Sequence, residues 1–263
     1  MKTFNNLLKV EFYKLFTTKA VWIVAGLVLF IQPLLAMISA RELIHLGLDA
    51  TPLTHPDLAQ AIPPKEYLAF YDILPFGILP MVVLGSLLGA TEYKNHQLRT
   101  TFLTCGKRTA HFIVKLISIV FSSLLISFVA IYATIAVTHL TLGNIGLPPM
   151  ALSDITWRHI AYGVCEWTFL TVIAYLLAMI CRNALVPLLF LIPQVYGLAT
   201  LLASKNVWGT YLPVAAGKLL TATPTDSMVH QPVQGLLILS VWTLILVASA
   251  HRLFTHKDLG GLY

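Results

Sequence analysis

Glu166 sits beside Trp167 in a stretch from residue 160 to 181 that holds no other charge. A carboxylate at such a place is costly in hydrocarbon and marks a candidate functional site, here a point on a substrate path. Its position, a little under two turns from the start of that stretch, would also let the side chain snorkel to the interface. The other reactive side chains assemble no catalytic constellation. The nine histidines (His45, His55, His96, His111, His139, His159, His230, His251 and His256) include no i,i+4 pair, and they read as interfacial or solvated. The chain has no HExxH, no GxxxxGK[ST] and no GxSxG, so metalloprotease, phosphate-loop and serine-hydrolase chemistry have no motif to stand on. Cys165 and Cys181 fall sixteen residues apart on one expected helix, about 24 Å. A disulfide needs Cα atoms within about 7 Å. These residues predict no metal site and no enzyme.

Glu92 to Lys115 forms a charged island that carries Lys94, Arg99, Lys107, Arg108 and Lys115, five of seventeen Lys and Arg. The rest of the chain predicts why such an island stands out. Hydrophobic residues make up 57% of the 263 and charged residues 11%. Mean hydropathy is +0.80. Apolar runs of about 20 residues match a bilayer core. The runs are continuous, not the alternating ten-residue segments of a membrane barrel. The expectation is an all-α polytopic membrane protein forming a single domain over 1–263, with six spans at 20–40, 71–91, 112–138, 160–181, 184–203 and 233–251. The third exceeds the bilayer requirement. The fourth and fifth are joined by Arg182-Asn183 as a tight hairpin.

Charge sets the expected orientation. With both termini in the cytoplasm, the inner segments hold Lys2, Lys9, Lys14, Lys19, the island, Arg182, Arg252 and Lys257. The outer segments hold Arg41, Lys65, Arg158, Lys205 and Lys218. That excess inside follows the positive-inside rule. The net charge of +6 therefore reads as membrane orientation and not as nucleic-acid binding, since no basic and aromatic residues interleave on a soluble scaffold. A signal peptide ending near Ile38-Ser39-Ala40 is disfavoured because the apolar run is about twice too long and further spans follow.

Residues 1–19 read as an interfacial segment built on an amphipathic helix over 3–16. Phe4, Leu7, Leu8, Phe12 and Leu15 share one arc, with Lys2, Asn6 and Lys9 largely away from it. Glu11 falls inside the apolar arc. It either pairs locally with Lys14 at i+3 or reaches a basic residue of the island. Elsewhere, Gly85 and Gly89 give a GxxxG spacing for close helix packing, within the chain or across a dimer. Pro187 and Pro193 mark kinks in the fifth span. The outer loop over 204–232 holds an apolar piece, 207–222, that is either re-entrant or a surface loop.

Three stretches together resemble the short permease subunits of type-2 ABC exporters, the group that includes bacitracin-resistance and lantibiotic-immunity permeases. LLKVEFYKLFTTKAVWIV at 7–24 is similar to the family's opening, with Glu11 and Lys14 ahead of the first span. GATEYKNHQLRTTFLTCGKRTAHFIVKLI at 89–117 resembles its first inner loop, with Glu92, Arg99, Arg108 and Lys115 in the recurring places. Tyr211-Leu212-Pro213 resembles a feature ahead of the last span. The chain departs from the family at Asn95-His96-Gln97, where a Gly is common, and at Cys105-Gly106-Lys107-Arg108, where a Pro often precedes the basic residue.

The resemblance implies a multi-pass subunit of the bacterial cytoplasmic membrane. Two permeases, identical or paired with a sister chain, would form the pathway among membrane lipid. Two separate ABC ATPase subunits would bind ATP and Mg, leaving this chain without a cofactor of its own. Segment 92–111 would be the coupling loop, docking through Glu92, Tyr93, Arg99, Phe102 and Arg108, while Lys107, Arg108 and Lys115 also fix topology. The implied activity is export of an amphipathic peptide or lipid-like molecule, giving antimicrobial-peptide resistance or bacteriocin immunity. The competing expectations are a motor-independent channel or secondary transporter, and a membrane scaffold.

Overall fold

The computed structural model describes residues 2–58, 60–71, 73–91 and 108–256, and no strand occurs among them. Six helices are long and apolar enough to cross a membrane, as in a multi-pass membrane protein. We number the principal helices α1 (Lys2–Thr17), α2 (Lys19–Leu46), α3 (Leu74–Thr91), α4 (Arg108–Leu142), α5 (Asp154–Cys181), α6 (Leu185–Lys205), α7 (Pro213–Thr221) and α8 (Pro232–His256). All six expected spans find a helix, and most run longer than expected. Residues 108–111, assigned to the coupling loop from sequence, are instead the first turn of α4.

α5 is the axis of the bundle. Ser153 caps its start, accepting from the Thr156 amide at 3.2 Å, and Asp154 complements the first turn. Trp167, Leu170, Ile173 and Leu176 are fully buried along its length. α3 packs against it through small residues. A Cβ at Gly85 would run into the Thr171 carbonyl, one at Gly89 into the Tyr175 carbonyl, and one at Gly77 into the Trp167 ring. The GxxxG spacing therefore serves packing within the chain. At the far end of α5, Arg182 takes a left-handed conformation (φ 54°). Asn183 Oδ1 then accepts from the Leu185 amide at 2.9 Å, which closes the expected hairpin.

α4 runs unbroken for 35 residues, about 52 Å, against roughly 30 Å of hydrocarbon. Two helices depart from regular α geometry. α2 has a π turn at Leu27–Ile31. α6 breaks at Gln194–Leu198, where Gly197 has φ +104°, immediately after Pro193. A side chain at that φ would be strained, and only glycine adopts it freely. No comparable break occurs at Pro187.

Segment 207–222 resolves into the 3₁₀ turn Val207–Tyr211 and α7. α7 is folded into the bundle: Pro213, Val214, Ala215, Ala216, Leu219 and Leu220 are buried. Its surroundings hold it by polar contacts as well. Gln194 Oε1 accepts from the Val214 amide at 3.4 Å, Trp242 Nε1 donates to the Tyr211 carbonyl at 2.8 Å, and the Gln231 amide donates to the Leu219 carbonyl at 2.9 Å. The surface-loop alternative is thereby excluded for α7.

Candidate functional site

Two buried carboxylates, Glu11 and Glu166, mark separate parts of the bundle. At the end carrying α1, Glu11 Oε1 lies 3.0 Å from Lys115 Nζ. The Lys115 side chain is 3% exposed and that of Glu11 11%. The apolar arc of α1 lies against α4: Leu7, Leu8, Phe12 and Leu15 are half-buried, and Phe12 meets Phe121 edge to face at 5.5 Å. Phe4, expected on the same arc, is exposed. Glu11 interrupts the arc because its partner lies beneath it. The sequence alternatives were Lys14 and an island base, and the ion pair shown is with the island's last lysine.

The start of α4 is tied to α8 as well. Arg108 Nη1 donates to the Thr255 carbonyl at 2.9 Å, and His251 Nε2 lies 3.4 Å from Thr109 Oγ1. These contacts bring α1, the base of α4 and the end of α8 to one end of the bundle. Glu92, Tyr93, Arg99 and Phe102 lie outside the described residues. Arg108, the fifth expected docking position, stands where those residues would join α4.

The second buried carboxylate is Glu166, toward the middle of α5. α5 begins at Asp154, so the carboxylate sits about 18 Å along the helix, deeper than the sequence boundary at 160 suggested. Glu166 is 3% exposed and does not snorkel. α7 covers it: the Thr221 hydroxyl donates to Oε2 at 2.8 Å. A Cβ at Gly217 would come within 2.6 Å of Oε1, so that glycine is what allows α7 to approach. Glu166 Oε1 has no hydrogen-bond partner among the described residues.

Above the carboxylate opens a cleft of about 270 Å³, lined by Gln60, Phe70, Lys218, Thr221, Asp226 and Met228. It continues into a second hollow of about 240 Å³ that shares Ala222, Asp226 and Met228 and adds Tyr67, His159 and His230. Asp226 shapes the junction, accepting from the Thr223 amide at 2.6 Å and from Gln60 Nε2 at 3.1 Å. The His159 and His230 rings stack at 5.1 Å, and Tyr67 meets His159 edge on at 4.7 Å. Partial burial lowers the His230 pKa below its ordinary value.

The histidines were expected to be interfacial or solvated; for His111, His139 and His159 the solvated alternative is corrected, because all three are buried. His159 Nδ1 reaches the Ile155 carbonyl at 3.1 Å, and His139 Nδ1 accepts from the Leu147 amide at 3.2 Å. The pairing of His159 with His230 spans 71 positions, and no local signal marks it. Gln32 was also missed. Its side chain is 4% exposed, neither amide atom has a hydrogen-bond partner among the described residues, and it packs on Gly77. A lone Gln within the apolar run of α2 was the available signal. Among the described residues, no three His, Cys, Asp or Glu side chains gather to hold a metal.

No protein-family model, curated protein or solved structure matches this chain.

Proposed function

We propose that this chain is the membrane-spanning permease subunit of an ABC transporter, which exports an amphipathic peptide or lipid-like molecule using ATP hydrolysed on separate ATPase subunits. The observation that carries the reading is the Glu11–Lys115 pair. A buried ion pair is retained at a cost in desolvation, and it fixes geometry between the elements it joins. Here it joins an amphipathic helix to the base of α4 through the last lysine of the charged island. That arrangement suits a loop that receives force from a partner and passes it to a span. Both termini then lie in the cytoplasm, and the cleft above Glu166 faces outward. A second permease copy or a sister chain completes the pathway. Resistance to, or immunity from, a membrane-active peptide follows as the physiological role.

Co-purification with an ATPase tests the reading. A stoichiometric ATPase should be lost on combined Arg99→Glu and Phe102→Ala change. Persistence of that complex after 92–107 is replaced by a neutral helix would count against it. Charge reversal at Arg99 should uncouple transport with normal membrane insertion, and reversal at Lys107 should not. A second reading, a motor-independent transporter, is favoured by the buried Glu166 beneath a polar cleft. Substrate movement in vesicles that hold this chain alone would establish it.

A further inference from the structure

An ionised carboxylate shielded from water needs two or three donors, or a cation in contact, to remain charged. Glu166 has one donor, Thr221 Oγ1, and its Oε1 accepts nothing among the described residues. The packed helices add no cation at contact. α3 contains no titratable side chain, α4 has only Tyr132 between Lys115 and His139, and α8 has none before His251. α6 offers Tyr196 and Lys205, and α5 itself places Tyr162 one turn and His159 two turns earlier, with Cys165 adjacent and Arg158 and Tyr175 further away. Lys218 on α7 brings positive charge near Glu166, without forming an ion pair with it, and Asp226 brings negative charge to the same cleft.

We propose that Glu166 is a proton-binding site, loaded and emptied from the cleft through the Thr221 hydroxyl. Thr221 lines the cleft and lies 2.8 Å from Oε2, so it stands between the cleft and the carboxylate. In loading, Thr221 Oγ1 takes a proton from a hydronium in the cleft and passes its own to Oε2. Water is left behind and the hydroxyl is restored. Unloading is the reverse, with Oε2 donating to Oγ1 and Oγ1 to water. A metal cation is a poor alternative occupant, because hard cations take about six or more oxygen ligands and this site offers a carboxylate and one hydroxyl. Occupancy also acts on α7. With the proton gone, a buried charge faces the backbone at Gly217 and draws water between α5 and α7.

The site is independent of what energises the protein, so its test needs no ATPase. Infrared spectra of the full chain in lipid vesicles at neutral pH should show a carboxylic-acid carbonyl band that is absent from Glu166→Gln. Thr221→Val should keep the band and slow its hydrogen–deuterium exchange by about tenfold or more, the effect of roughly one lost hydrogen bond on the relay. No such band in the wild type, or its survival in Glu166→Gln, overturns the proton site. Unslowed exchange in Thr221→Val overturns the route. Should a variant misfold, the wild type still answers: an apolar carbodiimide attacks protonated carboxyl groups. Mass spectrometry should place the adduct on Glu166, in a yield that falls as pH rises. Adducts on other carboxyls with none on Glu166 also overturn the proposal.

Discussion

Glu11 interrupts the apolar arc of α1 because the group that answers it belongs to α4. Removing one member of the pair takes a buried ionic partner from the other. Glu11→Gln or Lys115→Met should therefore cost about 3–5 kcal/mol, read as a lower Tm in detergent. The double change Glu11→Met with Lys115→Met should recover most or all of that loss. If transport stays impaired in the recovered double variant, the pair serves coupling as well as stability. Gln32 presents the opposite case. Its amide is buried with both atoms unpaired among the described residues, so Gln32→Leu should raise stability by about 1–3 kcal/mol, the penalty of an unsatisfied polar group. The anomaly at Glu11 was legible because it broke a periodic pattern. Gln32 broke none, since one amide in an apolar run gives no sign of whether a partner faces it.

At the scale of elements, the spans were readable and the packing partners were not. A run of apolar residues declares its length in the sequence, whereas the match of Gly85 and Gly89 to Thr171 and Tyr175 depends on which helix lies alongside. Gly85→Leu should separate α3 from α5 and lower the Tm by more than a comparable change at Gly26, where nothing lies within 4 Å of an added Cβ. α7 escaped the sequence because nine residues are too few to show a span or a clear period. Its placement rests on Gln194, Trp242 and Gln231, contributed by α6, α8 and the turn before α8. Gly217→Ala should push α7 off Glu166 and admit water, seen as faster amide exchange across 213–221. His230 adds a pH dependence. With its folded pKa depressed by burial, the folded state binds fewer protons than the unfolded one. Its stabilising share is present above an unfolded pKa of about 6.5 and is lost as pH falls below it. His230→Phe should keep the ring contact with His159 and flatten the response of 222–230 to acid, measured by limited proteolysis.

For the whole molecule, class and span number followed from composition, while the distribution of lysine and arginine gave a side to each end. Cysteine labelling in cells checks that assignment on an otherwise cysteine-free chain. Cysteine at Leu53 or Met150, both almost fully exposed, should react with a membrane-impermeant reagent from outside. Cysteine restored at Cys105 should react only after permeabilisation. The reverse pattern would turn the protein over in the membrane and move the cleft to the cytoplasm.

The unbroken α4 has a mechanical consequence. It is gripped near its base by Glu11 and the end of α8, and Ile131 packs beside Gly163, one turn from Glu166. A rod of about 52 Å turns a tilt of roughly 5° at one end into some 4–5 Å of travel at the other. Gripped at its base, α4 would turn a small tilt there into a larger displacement at its far end. In the transporter proposed above, a small tilt at the base of α4 would be felt along α5 beside Glu166.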